Sequence, residues 1–118
     1  MVIPYINVGH AWISDYGDPS DPKMHDYLKS YSPCHNANPD IPWLLCCTSD
    51  HDDRVVPHHS YKFVANQQKS DKIYLRVERK SGHGAGRSVE KTIKEWTDKF
   101  SFICQVLDIQ WGAGEATL

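Results

Sequence analysis

No apolar run in the sequence approaches the ~18 residues of a membrane span. The first residues also lack the basic-then-apolar order of a signal peptide. Both absences predict a soluble, cytoplasmic chain with no membrane partner. The four cysteines, Cys34, Cys46, Cys47 and Cys104, have no CxxC spacing, and two of them are adjacent inside an apolar run. A disulfide framework or a zinc knuckle is hard to build from that arrangement, so reduced thiols are expected. His51, His58 and His59 lie near acids, yet no HExxH or comparable helical spacing accompanies them, and a structural or solvated role is favoured over a metal site. No cofactor is expected. Positive charge is scarce too: 13 Lys and Arg against 15 Asp and Glu leave a formal net charge of -2, with no basic surplus to grip a nucleic acid backbone. What remains is 118 residues, 40% hydrophobic, enough for one modest core.

The chain divides into an irregular first third, 1–40, and a regular remainder, 41–110. In DYGDPSDP and SPCHNANPDIP, Pro, Gly, Asn and Asp are dense, which favours turns with at most one short helix around Lys23 to Tyr31. The run IPWLLCCT, Ile41 to Thr48, has no helical period and reads as a strand buried on both faces. His59 to Gln68 reads as a helix with Pro57 in its entry turn, and KIYLRV, Lys72 to Val77, alternates as a second strand. Val89, Ile93, Trp96, Phe100, Ile103 and Leu107 step by three and four, drawing one apolar stripe along a helix that Ser88 can cap. Trp96 and Phe100 are expected in its core-facing side.

Strand, helix, strand, helix is the grammar of a parallel β-α-β-α unit, and the fold class is therefore α/β. In such sheets functional groups gather beyond the carboxyl ends of the strands. Two loops occupy those places. SDHDDRVVPHHS follows the first strand and places five consecutive ionisable side chains there, Asp50 to Arg54; SGHGAGR follows the second and carries His83 between glycines. A histidine acting as general base needs its second ring nitrogen held by a carboxylate, and Asp50, Asp52 and Asp53 are all chemically able to serve. The alternative is a solvated acidic loop beside a plain helix-entry turn.

The strings GHAWISDYGDP, SYSP, DHDDRVVPHHSYKF and SGHGAGR closely resemble the C-terminal end of the peptidase domain of the prolyl oligopeptidase family, over about Gly9 to Phe102. DHDDRVVP with GHGAG at this separation is a highly specific combination. The resemblance implies the C-terminal portion of an α/β-hydrolase fold, an incomplete domain that in the family is completed by an N-terminal part and capped by a β-propeller. It implies serine-type cleavage of short peptides after proline. By the same resemblance Asp52 corresponds to the triad aspartate and His83 to the triad histidine. Arg54 corresponds to the arginine that hydrogen-bonds the substrate backbone beside the proline, Trp12 and Tyr16 to aromatics of the proline pocket, and Val55 to an apolar wall of that pocket.

The main departure is the nucleophile. No GxSxG frame surrounds any serine of these residues, whereas in the family that serine lies upstream of the GHAW segment. Met1 is accordingly expected to mark an internal start or a fragment boundary, and GAGEATL at the end to be a flexible extension. The leading expectation is a piece of a proline-specific serine peptidase whose partners are proline-containing peptides, the missing part of the peptidase domain and a propeller. The alternatives are a non-catalytic peptide-binding module and a small His/Asp metal domain.

Overall fold

A parallel strand pair organises the site-bearing part of the protein. The structure is a computed structural model that describes residues 9–84 and 87–112. In chain order a 3₁₀ turn over Gly9–Trp12 runs into α1, Ile13–Tyr16. Then come α2, Pro22–Tyr31; β1, Leu44–Ser49; α3, His58–Asn66; β2, Ile73–Glu78; and α4, Val89–Leu107. The described residues fall into two units, 9–84 and 87–112.

In the first unit β1 and β2 pair in parallel, from Leu44 opposite Ile73 to Ser49 opposite Glu78. The intervening α3 packs on both strands, as a crossover between parallel neighbours requires. Because Ser49 and Glu78 end the ladder together, the loops after the two strands leave the sheet at one level. The ladder runs one bond further, with Asp50 N donating to Glu78 O at 3.0 Å.

Helix α2 falls where the sequence places it. Asp21 accepts a hydrogen bond from Lys23 N at 3.0 Å, and Pro22 occupies the first helical position, where its missing N–H costs nothing. At the other end the Asn36 amide donates to the carbonyls of Lys29, Ser30 and Ser32 at 2.9, 3.2 and 2.8 Å, satisfying acceptors that a helix leaves open. Leu28 of α2 is the one buried large hydrophobic among the described residues. Gln67, just past α3, is 3% exposed. Its side chain accepts from Asn38 N at 3.0 Å and donates to Asn36 O at 3.4 Å, fastening the long α2–β1 connection to the end of α3.

Two sequence expectations change in this unit. The first third holds more helix than one short segment, because the 3₁₀ turn and α1 occupy residues 9–16. An eight-residue stretch is too short to display a helical period, and the Gly and Asp around it mask the signal. β1 is not buried on both faces either: Cys47 is exposed and Leu44 to Cys46 only partly covered. A strand reaches two-sided burial only when further strands and helices cover it, and the first unit provides one strand and α3.

The second unit is α4 and its end. Ser88 caps it, its Oγ accepting from Lys91 N at 3.3 Å, and Asp108 stops it in the left-handed conformation at φ 53°. Arg87 and Lys99 both pair with Glu95 on the polar side. The predicted apolar stripe is present, but it is exposed where core residues were expected: Trp96 is 52% and Phe100 42% exposed. Trp111 leans on Phe100 in a tilted arrangement at a centroid distance of 5.4 Å, and Phe100 stacks on Trp96 at 5.6 Å. An amphipathic stripe needs a second layer to be buried, and those aromatic contacts are the cover that α4 receives within its own unit. Ala85 and Gly86 of the glycine loop, and residues 113–118 of the expected flexible extension, lie outside the described residues.

Candidate active site

The two loops that leave the sheet at the Ser49–Glu78 level meet. His83 Nδ1 lies 2.8 Å from Asp52 Oδ2 and 3.0 Å from Asp52 Oδ1, across 31 positions of sequence. An ionised carboxylate only accepts, so Nδ1 carries the proton that bridges the pair, and Nε2 is the ring nitrogen that faces away from Asp52. The Asp52 side chain is 11% exposed, that of His83 43%. The acid is sheltered while the imidazole remains open to a reactant.

Local backbone geometry holds the acid. Asp52 Oδ1 accepts from Arg54 N at 3.0 Å and Val55 N at 2.8 Å, an Asx turn in which the side chain organises its own loop. Burial of Asp52 opposes its ionisation. The hydrogen bonds from Val55 N, His83 and Arg54 N, with the charge of His83, outweigh it and hold the carboxyl below its ordinary value. On the histidine side, Gly84 has φ 122°, a backbone conformation that glycine alone takes at little cost, and it turns the chain directly after His83.

Of the three acids open to His83 on chemical grounds, the fold pairs Asp52 with it. Asp50 makes a different set of bonds. Its Oδ1 accepts from His51 Nδ1 at 2.7 Å and from Ser81 N at 3.3 Å. Its carboxyl is lowered to about 2, chiefly by the His51 bond, against burial and with help from the N–H groups of Lys80 and Ser81. Sequence reasoning passed over this role, and no local pattern announces it, because the partner on the second loop is 31 residues away. Asp53 is exposed.

The remaining anticipated residues stand on the surface. Arg54 is exposed beside the pair and joins it through its backbone N–H; Val55, one residue on, is exposed as well and likewise donates its N–H to Asp52. Trp12 closes the 3₁₀ turn and Tyr16 closes α1, both exposed. No hydrogen bond or ring contact among the described residues ties either aromatic to Asp52 or His83. Among the described residues, no group of three or more His, Cys, Asp or Glu side chains is gathered in a way that could hold a metal ion.

Chemically, an imidazole with one nitrogen fixed by a carboxylate and the other open is a general base whose protonated form is stabilised in place. Residues 3–110 match the prolyl oligopeptidase family. The chain is 44% identical over 125 residues to prolyl oligopeptidase A of Amanita bisporigera, covering all of this chain and 16% of that protein. It is 47% identical over 109 residues to the prolyl endopeptidase of Elizabethkingia meningoseptica, covering 86% of this chain and 16% of that one. Among solved structures, a prolyl endopeptidase superposes with a TM-score of 0.80 at 39% identity, over 92% of this chain and 17% of its own length. The chain thus spans about a sixth of the relatives it matches.

Proposed function

The chain belongs to the prolyl oligopeptidase family, and we propose that it is the C-terminal part of an α/β-hydrolase peptidase domain that cleaves short peptides after proline, supplying the catalytic acid and base. The observation that carries this reading is the contact of Asp52 with His83 Nδ1 at the ends of paired parallel strands. His83 Nε2 takes the proton of a serine hydroxyl as that oxygen attacks the scissile carbonyl, and returns it to the leaving amine. Asp52 does not take up that proton. It fixes the tautomer and stabilises the imidazolium. The serine and the oxyanion donors come from the upstream part of the domain, since no GxSxG frame occurs in these 118 residues.

Arg54 binds the peptide backbone next to the proline through charge-assisted hydrogen bonds, and Trp12 stacks on the pyrrolidine ring, with Tyr16 and Val55 lining the same pocket. Their exposure fits side chains that wait for a ligand. The remaining partners are the upstream part of the peptidase domain and a propeller.

The test is a graft in which these 118 residues replace the matching C-terminal part of the Elizabethkingia meningoseptica enzyme. The grafted enzyme should hydrolyse a short peptide on the carboxyl side of proline, and His83→Ala should abolish turnover. An equally active His83→Ala graft would overturn the reading.

A further inference from the structure

The acid-bearing loop is joined to the histidine-bearing loop by more than the Asp52–His83 contact. Besides the Lys80 N–H, which also reaches the Asp50 carboxylate, three bonds precede it in the chain. Asp50 N donates to Glu78 O at 3.0 Å, Asp50 Oδ1 accepts from Ser81 N at 3.3 Å, and His51 N donates to Ser81 O at 3.1 Å. Ser81 is 7% and Glu78 9% exposed, so the partners of these bonds on the second loop are buried. At Ser81 both backbone groups are engaged, the N–H by the Asp50 side chain and the carbonyl by His51 N. Two residues later comes His83; two residues after Asp50 comes Asp52.

From this geometry we propose that Asp50 is a positioning residue for the reaction, a clamp whose carboxylate holds the Ser81 amide and so sets the distance at which His83 meets Asp52. This rests on the proposed roles of Asp52 and His83. A peptide group on each side of the clamp transmits any displacement within two residues, and an error of about 1 Å in such a pair can cost a hundredfold in rate. His51 completes the arrangement. Its Nδ1 at 2.7 Å occupies the same Asp50 oxygen, Oδ1, while its ring is largely exposed. The ring thus helps hold the Asp50 carboxylate in orientation without standing between the two loops. Asp50 is distinct from the Asx turn of Asp52, whose bonds to Arg54 N and Val55 N stay within one loop and carry no information about where the second loop lies.

The experiment uses the grafted full-length enzyme with Asp50→Ala, Asp50→Asn and Asp50→Glu, beside Asp52→Asn and His83→Ala. Asparagine keeps a carbonyl oxygen for the Ser81 N–H and loses the charge; glutamate keeps the charge and moves the oxygen by one methylene. The clamp predicts that Asp50→Ala lowers kcat at least tenfold with KM within twofold of the parent, that Asp50→Asn stays within threefold, and that Asp50→Glu behaves like Asp50→Ala. If Asp50→Ala yields no soluble enzyme, the Asn and Glu variants decide between them. Parent-like kcat in Asp50→Ala or Asp50→Glu overturns the clamp, as does an Asp50→Asn enzyme no better than Asp50→Glu. Loss of turnover in Asp52→Asn and His83→Ala with a silent Asp50 series refutes the clamp alone; full activity in His83→Ala refutes the proposed function, and the clamp falls with it.

Discussion

Asp52 Oδ2 and His83 Nδ1 stand 2.8 Å apart because Ser49 and Glu78 end the same parallel ladder in register. Each loop then needs only a few residues to reach the other. This relationship supports treating the two side chains as one catalytic unit.

In the grafted enzyme, Asp52→Asn should lower kcat by about 10⁴ with little change in KM, as expected when an acid that orients a catalytic histidine loses its charge. Asp53→Asn should be nearly silent. Steady-state kinetics on a proline-containing peptide checks both, and a crippled Asp53→Asn beside an active Asp52→Asn would assign the acid differently.

Arg54→Ala and Trp12→Ala should act on binding. A lost charge-assisted hydrogen bond costs about 1.5–3 kcal/mol, and an aromatic stacking partner about 0.5–1.5 kcal/mol beyond its buried area. Arg54→Ala should therefore lose roughly ten- to a few hundredfold in kcat/KM, and Trp12→Ala about two- to tenfold from the stacking, with the loss of covered pocket area added to it. Trp12→Ala should also narrow the ratio of rates for proline over alanine peptides. A ratio equal to the parent's would remove Trp12 from the pocket.

The 118 residues alone should show no turnover of proline-containing peptides above background, since removing the nucleophile of a triad costs around six orders of magnitude. Mixed with an upstream complement that carries a GxSxG segment, they should restore hydrolysis, and a fluorophosphonate probe should label the complement. Stoichiometric labelling of a serine within these residues would contradict the assignment. The exposed stripe on α4 should meanwhile drive self-association of the isolated chain. Trp96→Glu should reduce that association in analytical ultracentrifugation, and an unchanged sedimentation profile would exclude the stripe as its cause.

Acid should weaken the loop pair. Asp50 has its carboxyl lowered from 3.8 to about 2 in the folded protein, so its contribution to stability is present above pH 4 and is lost as pH falls toward 2. Asp52 is shifted in the same direction and adds in the same sense. Denaturant unfolding of the grafted peptidase domain at pH 6 and pH 3 should show the parent losing more stability than Asp50→Asn over that interval. Equal losses would mean that the Asp50 bonds contribute no pH-dependent stability.

The sequence by itself determined the local elements from α2 onward. A three-and-four apolar step gave α4 its extent, Ser88 and Asp21 supplied side-chain caps where the pattern put helix starts, and the β-α-β order called for a parallel pair. These signals are short-range: a cap acts across two or three residues and a helical period across a few turns. The resemblance of DHDDRVVP and GHGAG pointed to Asp52 and His83, but in chemical terms Asp50, Asp52 and Asp53 were equivalent carboxylates. Only the tertiary structure separated them. The register of β1 on β2 sets which carboxylate reaches across 31 residues to the imidazole, leaving Asp50 to hold the Ser81 amide and Asp53 exposed. Burial was likewise not legible from the residues. Periodicity shows which side chains share a face, whereas the cover over that face comes from elements distant in sequence, and for β1 and the α4 stripe the described residues leave it incomplete.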